Sequence, residues 1–255
     1  MSATGTTPRG AASEREASQY VRGMFGKIAH RYDFLNHALS FNLDRAWRKK
    51  LVKRVVDVVD REDARVLDLC CGTADVLEKI EERKSAKTFG SDFCHPMLIE
   101  AKRKVRSPLF EADALALPLA DQSFDAITIA FGFRNLANYD DGLKELLRVL
   151  KPGGMAAILE FSQPTNRAFG ALYGFFSNRL LPKVGAMVSG SQDAYQYLPE
   201  SIRKFPNAEE LAERMRMSGF AQVDFERMTG GAVALHVGHK CANKTSSPSI
   251  PDRRR

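Results

Sequence analysis

The segment 65–75 constrains the fold of this chain more than any other part of the sequence. Its apolar run Val-Leu-Asp-Leu at 66–69 predicts a buried strand, and the small residues at 70–74 predict a tight turn. The amphipathic pattern that begins at Asp75 then predicts a helix. A strand, a small-residue turn and a helix form the nucleotide site of doubly wound α/β folds, because the turn lets a ligand approach backbone N–H groups.

The composition of this turn restricts the ligand. It lacks the three spaced glycines of a dinucleotide site and has a single glycine, Gly72, followed by Thr73. Two acidic residues, Asp68 and Asp75, stand on either side. Carboxylates match a ligand that carries ammonium and sulfonium groups and no pyrophosphate. We therefore predict that Asp68, Gly72 and Thr73 belong to a site for S-adenosylmethionine.

Three further predicted strands end in residues that suit the same ligand. The strand at 87–92 ends at Asp92, 24 positions after Asp68, near the spacing at which an acidic residue accepts hydrogen bonds from ribose hydroxyls. The third strand ends with Asp113 and Ala114, where an adenine edge could lie, and the fourth covers 123–130. Because parallel strands end at one edge of a sheet, these residues should line one site, although Asp92 could instead cap the following helix.

The polar segments divide the chain into one folded unit and two tails. Residues 1–19 and 241–255 have no apolar periodicity, so we expect both to be disordered. Residues 20–240 then form a single α/β domain. The sequence has no run of 18 apolar residues and no hydrophobic signal core, which leads us to expect a cytoplasmic protein.

The charge and the cysteine pattern argue against two classes of site. The net charge is +7, but the tail at 241–255 supplies +3 of it, so the folded part is not basic enough to indicate nucleic-acid binding. The four cysteines form no Cys-x-x-Cys pair and no metal-binding spacing with the five histidines. We therefore expect neither a nucleic-acid partner nor a metal.

Positive charge is concentrated in the segment 44–54. Six basic residues there are interleaved with Trp47, Leu51 and Val52, which share one face of a helix. Two interpretations stay open. The basic residues form either a solvated face above a packed one or a contact with anionic lipid headgroups.

Several longer motifs resemble those of one known family. They are Tyr-Asp-Phe-Leu-Asn at 32–36, Phe-Gly-Phe-Arg-Asn at 131–135, Glu-Phe-Ser-Gln-Pro at 160–164 and Gly-Ala-Val-Ala-Leu-His at 231–236. On these motifs, the chain resembles the ubiquinone/menaquinone biosynthesis C-methyltransferase family over residues 20–240. The Leu-Lys-Pro-Gly-Gly turn at 150–154 is shared by many methyltransferases and adds little.

The resemblance implies a fold and a reaction. The fold is the class I S-adenosylmethionine-dependent methyltransferase fold, a Rossmann-like α/β fold with a seven-stranded, mostly parallel sheet and helices on both faces. An antiparallel strand is expected near 233–239, and helical lids at 20–60 and 165–205. The reaction is the transfer of a methyl group from S-adenosylmethionine to a ring carbon of a polyprenylated quinol, in menaquinone or ubiquinone biosynthesis.

The resemblance also assigns cofactor positions. They fall on Thr73, Asp92, Asp113 and Ala114. Many members have a serine just before the Phe-Gly-x-Arg-Asn motif, where this chain has Ala130, so a cofactor contact by that hydroxyl is absent. A milder departure is Ala74, where glycine is frequent.

Four residues are candidates for the reaction itself. Arg134 and Asn135 follow the fourth strand, at the edge where the methyl group would lie, and could hold or polarise the quinol hydroxyls. A protonated Arg134 cannot act as a base. Tyr32 belongs to the first lid and could bond to a quinol hydroxyl. His236 has the pKa range of a general base, but it could also be a packed residue of the last strand.

The apolar, glycine-rich segment 168–188 has three open interpretations: a groove for the prenyl tail, a helical hairpin, or a homodimer interface. A transient contact with the membrane surface, at its inner face, is expected here. Two other functions remain as alternatives. One is an O- or N-methyltransferase of another small hydrophobic acceptor, for which no clear base stands out. The other is a non-catalytic S-adenosylmethionine-binding protein, which would not need Arg134 and Asn135.

Overall fold

The computed structural model describes residues 4–8, 10–165 and 192–242. These residues form a seven-stranded sheet with the strand order β3-β2-β1-β4-β5-β7-β6. The strands are β1 (Arg65–Leu69), β2 (Lys87–Asp92), β3 (Leu109–Glu111), β4 (Phe124–Ala130), β5 (Leu150–Phe161), β6 (Phe220–Met228) and β7 (Val233–Lys240). Strands β1 to β5 pair in parallel, whereas β7 runs antiparallel to both β5 and β6. The predicted mostly parallel sheet and the antiparallel strand at its end are therefore confirmed.

Helices lie between these strands. The described α-helices are α1 (Glu14–Ile28), α2 (Tyr32–Leu39), α3 (Leu43–Arg54), α4 (Val56–Val59), α5 (Asp75–Glu81), α6 (His95–Ala101), α7 (Tyr139–Val149), α8 (Gln192–Lys204) and α9 (Ala208–Ser218). Helix α5 begins at Asp75, where the sequence predicted. Pro96 stands in the first turn of α6, where the missing N–H removes no hydrogen bond of the helix.

The side chains of the central strands alternate between two apolar clusters, one on each face of the sheet. Leu67 and Ile127 pack into the cluster that includes Leu143 of α7. Val66, one position earlier, packs into the cluster that includes Leu51 of α3. Successive side chains of a strand point to opposite faces, so a sheet covered by helices on both sides needs the continuous apolar runs seen in the sequence.

The N-terminal residues are more ordered than the sequence suggested. Helix α1 begins at Glu14, with the side chain of Ser13 accepting a hydrogen bond from the Glu16 N–H. Thr4 and Thr6 make backbone hydrogen bonds to the segment that follows β4. The expected disordered tail over residues 1–19 is therefore wrong for these residues, because backbone pairing and a helix cap order a segment that lacks apolar periodicity.

Helix α3 does not present its six basic residues as one free face. Arg48 is buried and pairs with Asp44. Lys50 pairs with Glu226 of β6, and other basic residues of the helix are exposed, among them Arg45, Lys49 and Lys53. Helix α3 packs on one face of the sheet through Leu51 and Val52, and the first lid stays a prediction. The whole segment 168–188, most of the second predicted lid and residues 243–255 lie outside the described residues.

None of the helices in the described parts of the chain has the length and the apolar content that crossing a bilayer requires.

Candidate functional site

The carboxyl ends of β1, β2 and β4 open into a cleft whose empty space, open solvent included, is about 640 Å³. The lining includes the predicted residues Tyr32, Gly72, Asp92, Asp113, Ala114 and Asn135 and the apolar side chains of Phe25, Phe93, Met97 and Leu136. The site therefore combines a few polar groups with apolar walls.

A smaller cleft of about 310 Å³ adjoins the first, because Tyr32, Cys70, Gly72 and Ala130 line both. Its other lining residues are mostly charged or polar, and they include Arg48, Asp68, Thr73 and Asp75. The structure therefore brings all six residues of the predicted cofactor site to two connected clefts. Their contacts with a ligand stay predictions.

The turn after β1 is built from left-handed backbone. The φ angles of Cys70, Gly72 and Ala74 are +54°, +55° and +70°. Only glycine adopts this region freely, and a non-glycine residue there costs about 1–3 kcal/mol. The departure at Ala74 therefore falls at a position whose conformation favours the glycine that is frequent in the family.

The turn after β4 approaches the turn after β1 closely. A Cβ atom added to Gly132 would lie 2.4 Å from the Cβ of Cys70, closer than any real contact. Phe131, just before it, also has a left-handed φ of +59°. Gly132 is therefore required for the two turns to meet at the floor of the cleft.

Asp92 joins two loops of the site. Its Oδ2 accepts a hydrogen bond of 2.9 Å from the Gly72 N–H, and its Oδ1 accepts one of 2.9 Å from the Cys94 N–H. Burial raises the pKa of Asp92 to about 6, although these backbone donors act in the opposite direction. Asp92 thus fixes the start of α6, the alternative considered from the sequence, and also lines the large cleft.

Asp68 is the most deeply buried acid of the small cleft. Its Oδ1 accepts a hydrogen bond of 2.7 Å from the Thr128 hydroxyl. Burial raises its pKa to about 7, and the Thr128 bond and the charge of Arg48 offset only part of this effect. A buried carboxyl of this kind is stabilised in its ionised form by a cation placed beside it.

A clasp joins α2 to the turn after β1. The Thr73 hydroxyl donates to Asp33 of α2, and Lys104 Nζ lies 2.5 Å from Asp33 and 2.8 Å from Asp75. Thr73 is therefore held by the lid, as well as by the loop to which it belongs. Asp33 thus connects α2 to the turn after β1.

One acidic cluster stands next to this clasp. His37, Asp44 and Asp75 bring their ligand-type atoms within 4.8 Å of one another. Arg48 already lies among them, since it bonds to Asp44 and its Nη2 is 3.6 Å from Asp75. The side chains of the protein thus supply the positive charge that these carboxylates need.

Arg134 does not face the cleft as predicted. Only 4% of the residue is exposed, and it is absent from the lining of both clefts. Its guanidinium donates to the Phe131 carbonyl and to Glu160 Oε1, the latter at 3.0 Å. Burial opposes the charge of Arg134, but the Glu160 carboxylate keeps its pKa above the ordinary value. Arg134 therefore lies behind the wall of the cleft, because a buried guanidinium needs this carboxylate as partner, and its role in the reaction stays a prediction.

Asn135 and Tyr32 do line the large cleft. The Oδ1 of Asn135 accepts a hydrogen bond of 3.0 Å from the Tyr197 hydroxyl. Burial raises the pKa of Tyr32, so its hydroxyl stays protonated near neutral pH. Both side chains can therefore donate hydrogen bonds to a ligand.

His236 belongs to the sheet and lines neither cleft. It is buried in β7, where its Nε2 lies 2.8 Å from the Ala208 carbonyl oxygen and its ring stacks on Phe225. Burial lowers its pKa to about 4. The structure thus favours the packed interpretation over a general base.

The ubiE/COQ5 methyltransferase family model matches residues 13–240. The chain belongs to this family. It is 46% identical over 224 residues to a Thermus thermophilus protein named demethylmenaquinone methyltransferase, which covers 85% of this chain and 100% of that protein. It is 38% identical over 238 residues to an Idiomarina loihiensis protein named ubiquinone/menaquinone biosynthesis C-methyltransferase UbiE, with 89% and 93% covered.

The comparison with solved structures agrees with the family assignment. A solved S-adenosylmethionine-dependent methyltransferase from Thermotoga maritima, described as a possible histamine N-methyltransferase, superimposes with a TM-score of 0.60 at 19% identity. The match covers 86% of this chain and 99% of that one. The class I methyltransferase fold is thus confirmed, and this family member is an S-adenosylmethionine-dependent methyltransferase.

The residues present fit this methyl donor. The buried Asp68 has only a hydroxyl as its direct side-chain partner, so a ligand ammonium would supply the missing charge. Asp92 lines the large cleft, where its carboxylate can accept hydrogen bonds from ribose hydroxyls. The small side chain of Ala114 leaves room in the large cleft. The polar groups of the two clefts therefore match the groups of S-adenosylmethionine.

Sequence reasoning missed three residues of the site. Glu160 is an acid inside the otherwise apolar segment 155–161 of β5, and this exception was the available signal. Arg48 stands next to the apolar Trp47 of α3, but nothing local shows that it turns inward. Tyr197 lies far along the chain in α8, and no local pattern places it at the site.

Proposed function

We propose that this methyltransferase transfers the methyl group of S-adenosylmethionine to a ring carbon of a polyprenylated quinol, with demethylmenaquinol as substrate. The observation that carries the proposal is the juxtaposition of Asn135 and Tyr32 with Asp92 in one apolar-walled cleft. Relatives named for this reaction match the chain over most of its length and support the same acceptor.

The chemistry explains why such groups are needed. When bound, S-adenosylmethionine supplies an electrophilic methyl group on a good leaving group. The acceptor ring is nucleophilic only as a quinol, because its hydroxyl lone pairs feed the ring, and most strongly when one hydroxyl loses its proton. Hydrogen-bond donors at the quinol oxygen stabilise this phenolate. Asn135 and Tyr32 provide these donors, and fixing the acceptor in line with the methyl group supplies much of the acceleration.

In this scheme Arg134 does not contact the quinol, because it lies outside the lining of the large cleft. Its guanidinium stays protonated and paired with Glu160, so it removes no proton. Its charge acts on Tyr32, whose pKa it lowers against the larger effect of burial. The Arg134 guanidinium, held in place by Glu160, therefore keeps a positive charge near the donor that would contact the quinol oxygen.

We also propose that the lid touches an anionic bilayer, from which a prenylated substrate would enter. Three large apolar side chains around the α2–α3 connection, those of Phe34, Phe41 and Leu43, are 43% to 73% exposed. Helix α3 adds three exposed cations, Arg45, Lys49 and Lys53. Apolar side chains beside cations match a surface of anionic headgroups. Sedimentation with phosphatidylglycerol vesicles should exceed that with phosphatidylcholine vesicles and fall in Phe34→Ser. Equal sedimentation with both lipids would refute the contact.

The deciding experiment is methyl transfer from labelled S-adenosylmethionine to reduced demethylmenaquinol and, separately, to the demethylated benzoquinol precursor. Label in the naphthoquinol product is the expected result, and label in the benzoquinol shows whether the enzyme accepts both rings. Tight binding of S-adenosylmethionine without transfer to either quinol would refute the proposal, leaving another acceptor or a binding protein.

A further inference from the structure

An N-terminal strap, residues 4–8, lies against the outer side of one wall of the large cleft. The Thr6 N–H donates to the Leu136 carbonyl at 2.8 Å, and the Tyr139 N–H donates to the Thr4 carbonyl at 2.8 Å. A Cβ atom on Gly5 would lie 1.7 Å from the Ala137 carbonyl oxygen, so the two backbones are in direct contact. Because Leu136 and Ala137 line the cleft, the strap is one residue away from the substrate space.

The strap reaches Asn135 through a directed chain of hydrogen bonds. The Thr6 hydroxyl lies 2.7 Å from the Tyr197 hydroxyl, which donates to Asn135 Oδ1 at 3.0 Å. The phenol has a single hydrogen, and Asn135 takes it, so the Thr6 hydroxyl must be the donor to Tyr197. Thr6 and Tyr197 are both buried, which protects the chain from competition by water.

This chain fixes the orientation of the Asn135 amide. Its oxygen is engaged by Tyr197, while no described residue bonds to its Nδ2. The amide lines the large cleft, so the groups that remain for a ligand are its two N–H donors. Burial raises the pKa of Tyr197 to about 12, and the phenol thus remains a donor at any pH at which the enzyme is assayed.

We propose that Thr6 and Tyr197 are positioning residues that hold the Asn135 amide with its N–H donors toward the acceptor. The amide then donates to an oxygen that carries negative charge, the phenolate of the quinol. This inference rests on the proposed function for the identity of the acceptor. The orientation of the amide does not depend on it.

The test uses matched variants of the full chain. Thr6→Val removes the first hydroxyl and keeps the shape, Thr6→Ser restores it, and Tyr197→Phe removes the second while keeping the ring contact with Tyr20. Thr7→Val is the control, because Thr7 is exposed and bonds to Lys204. Kinetics are measured with reduced demethylmenaquinol, and the affinity for S-adenosylmethionine by calorimetry. NMR follows the side-chain ¹⁵N amide of Asn135 in the free enzyme.

Thr6→Val and Tyr197→Phe should each lower kcat/KM for the quinol roughly threefold to tenfold, the value of one hydrogen bond, with unchanged affinity for S-adenosylmethionine. Thr6→Ser and Thr7→Val should match the wild type. The double variant should be no worse than Tyr197→Phe alone, since both act on one amide. The Asn135 side-chain signal should shift and broaden in Thr6→Val and stay in place in Thr7→Val.

The outcomes separate this inference from the proposed function. An Asn135 signal that is unchanged in Thr6→Val overturns the positioning role, whatever the acceptor is. Equal losses in Thr6→Val and Thr7→Val, or a matching loss of S-adenosylmethionine affinity, overturn it as well. A wild-type enzyme that leaves the quinol unmethylated overturns the proposed function, and the NMR arm then decides the orientation alone. If Tyr197→Phe does not fold, the comparison of Thr6→Val with Thr7→Val decides whether the positioning role holds.

Discussion

Replacing Glu160 with glutamine should make the enzyme markedly less stable. Glu160 and Arg134 have side chains that are 1% and 5% exposed, so their charges compensate each other away from water. The Oε1 of Glu160 accepts from Arg134 Nη1 at 3.0 Å and from the Phe161 N–H at 2.8 Å, and Oε2 accepts from the Arg134 N–H at 3.1 Å. A glutamine keeps one acceptor and turns the other into a donor that faces an N–H.

The magnitude follows from this environment. Removing one partner of a buried pair leaves an uncompensated charge and costs about 3–5 kcal/mol. Typical unfolding free energies are about 5–15 kcal/mol, so the loss is a large part of the total. At roughly 2–4 °C per kcal/mol for a chain of this size, the midpoint of thermal unfolding should fall by about 10 °C.

Urea unfolding followed by circular dichroism measures the change in unfolding free energy. Glu213→Gln is the matched control, since Glu213 pairs with Arg216 on the surface of α9 and should change stability by less than about 1 kcal/mol. The double variant Arg134→Met/Glu160→Leu removes both charges and should recover much of the loss. Glu160→Gln losing no more than Glu213→Gln, or the double variant being the least stable, would refute the reasoning.

Four further results are expected. Affinity for S-adenosylmethionine, measured by calorimetry, should rise between about pH 5 and pH 8, because Asp92 and Asp68 ionise near pH 6 and 7. In Asp68→Asn the part of this rise at the higher pH values should be smaller. In the free enzyme the same raised pKa values favour folding at low pH, and that contribution is lost as the pH rises through about 6 to 7. Burial lowers the pKa of His236 to about 4, so this residue contributes stability above pH 6.5 that is lost as the pH falls toward 4. In urea titrations, the unfolding free energy of His236→Gln should therefore fall less steeply with decreasing pH, and its turnover should be normal. Gly132→Ala should lower the unfolding free energy by about 1–3 kcal/mol through the clash with Cys70, and adding Cys70→Gly should restore most of the loss. A Gly132→Ala variant as stable as the wild type would contradict the close approach of the two turns.

The parts of the site that lie on strand ends could be predicted from the sequence. Parallel strands share a carboxyl edge, so Asp68, Asp92 and Asp113 had to converge once the strands were identified. The period of apolar residues and the acid at each strand end carry this information locally. The left-handed backbone of Cys70 carries no such signal, because its side chain gives no preference for that conformation.

The direction of side chains after a strand could not be predicted in the same way. Arg134 follows β4 at the correct edge, but it turns inward because Glu160, 26 positions later, offers a buried carboxylate. Residues 4–8 lack apolar periodicity, yet backbone pairing with 136–139 orders them. Both features depend on partners that are distant along the chain, which local patterns do not encode.

The strap sets an order of events during synthesis. Thr6 is synthesised before its partner Tyr197, which is 191 positions later. At about 5–20 residues per second, the strap waits roughly 10 to 40 s for that partner to be made. The carboxylate for Arg134 arrives earlier, with β5. The strap therefore docks after the strands that carry the clefts have been made.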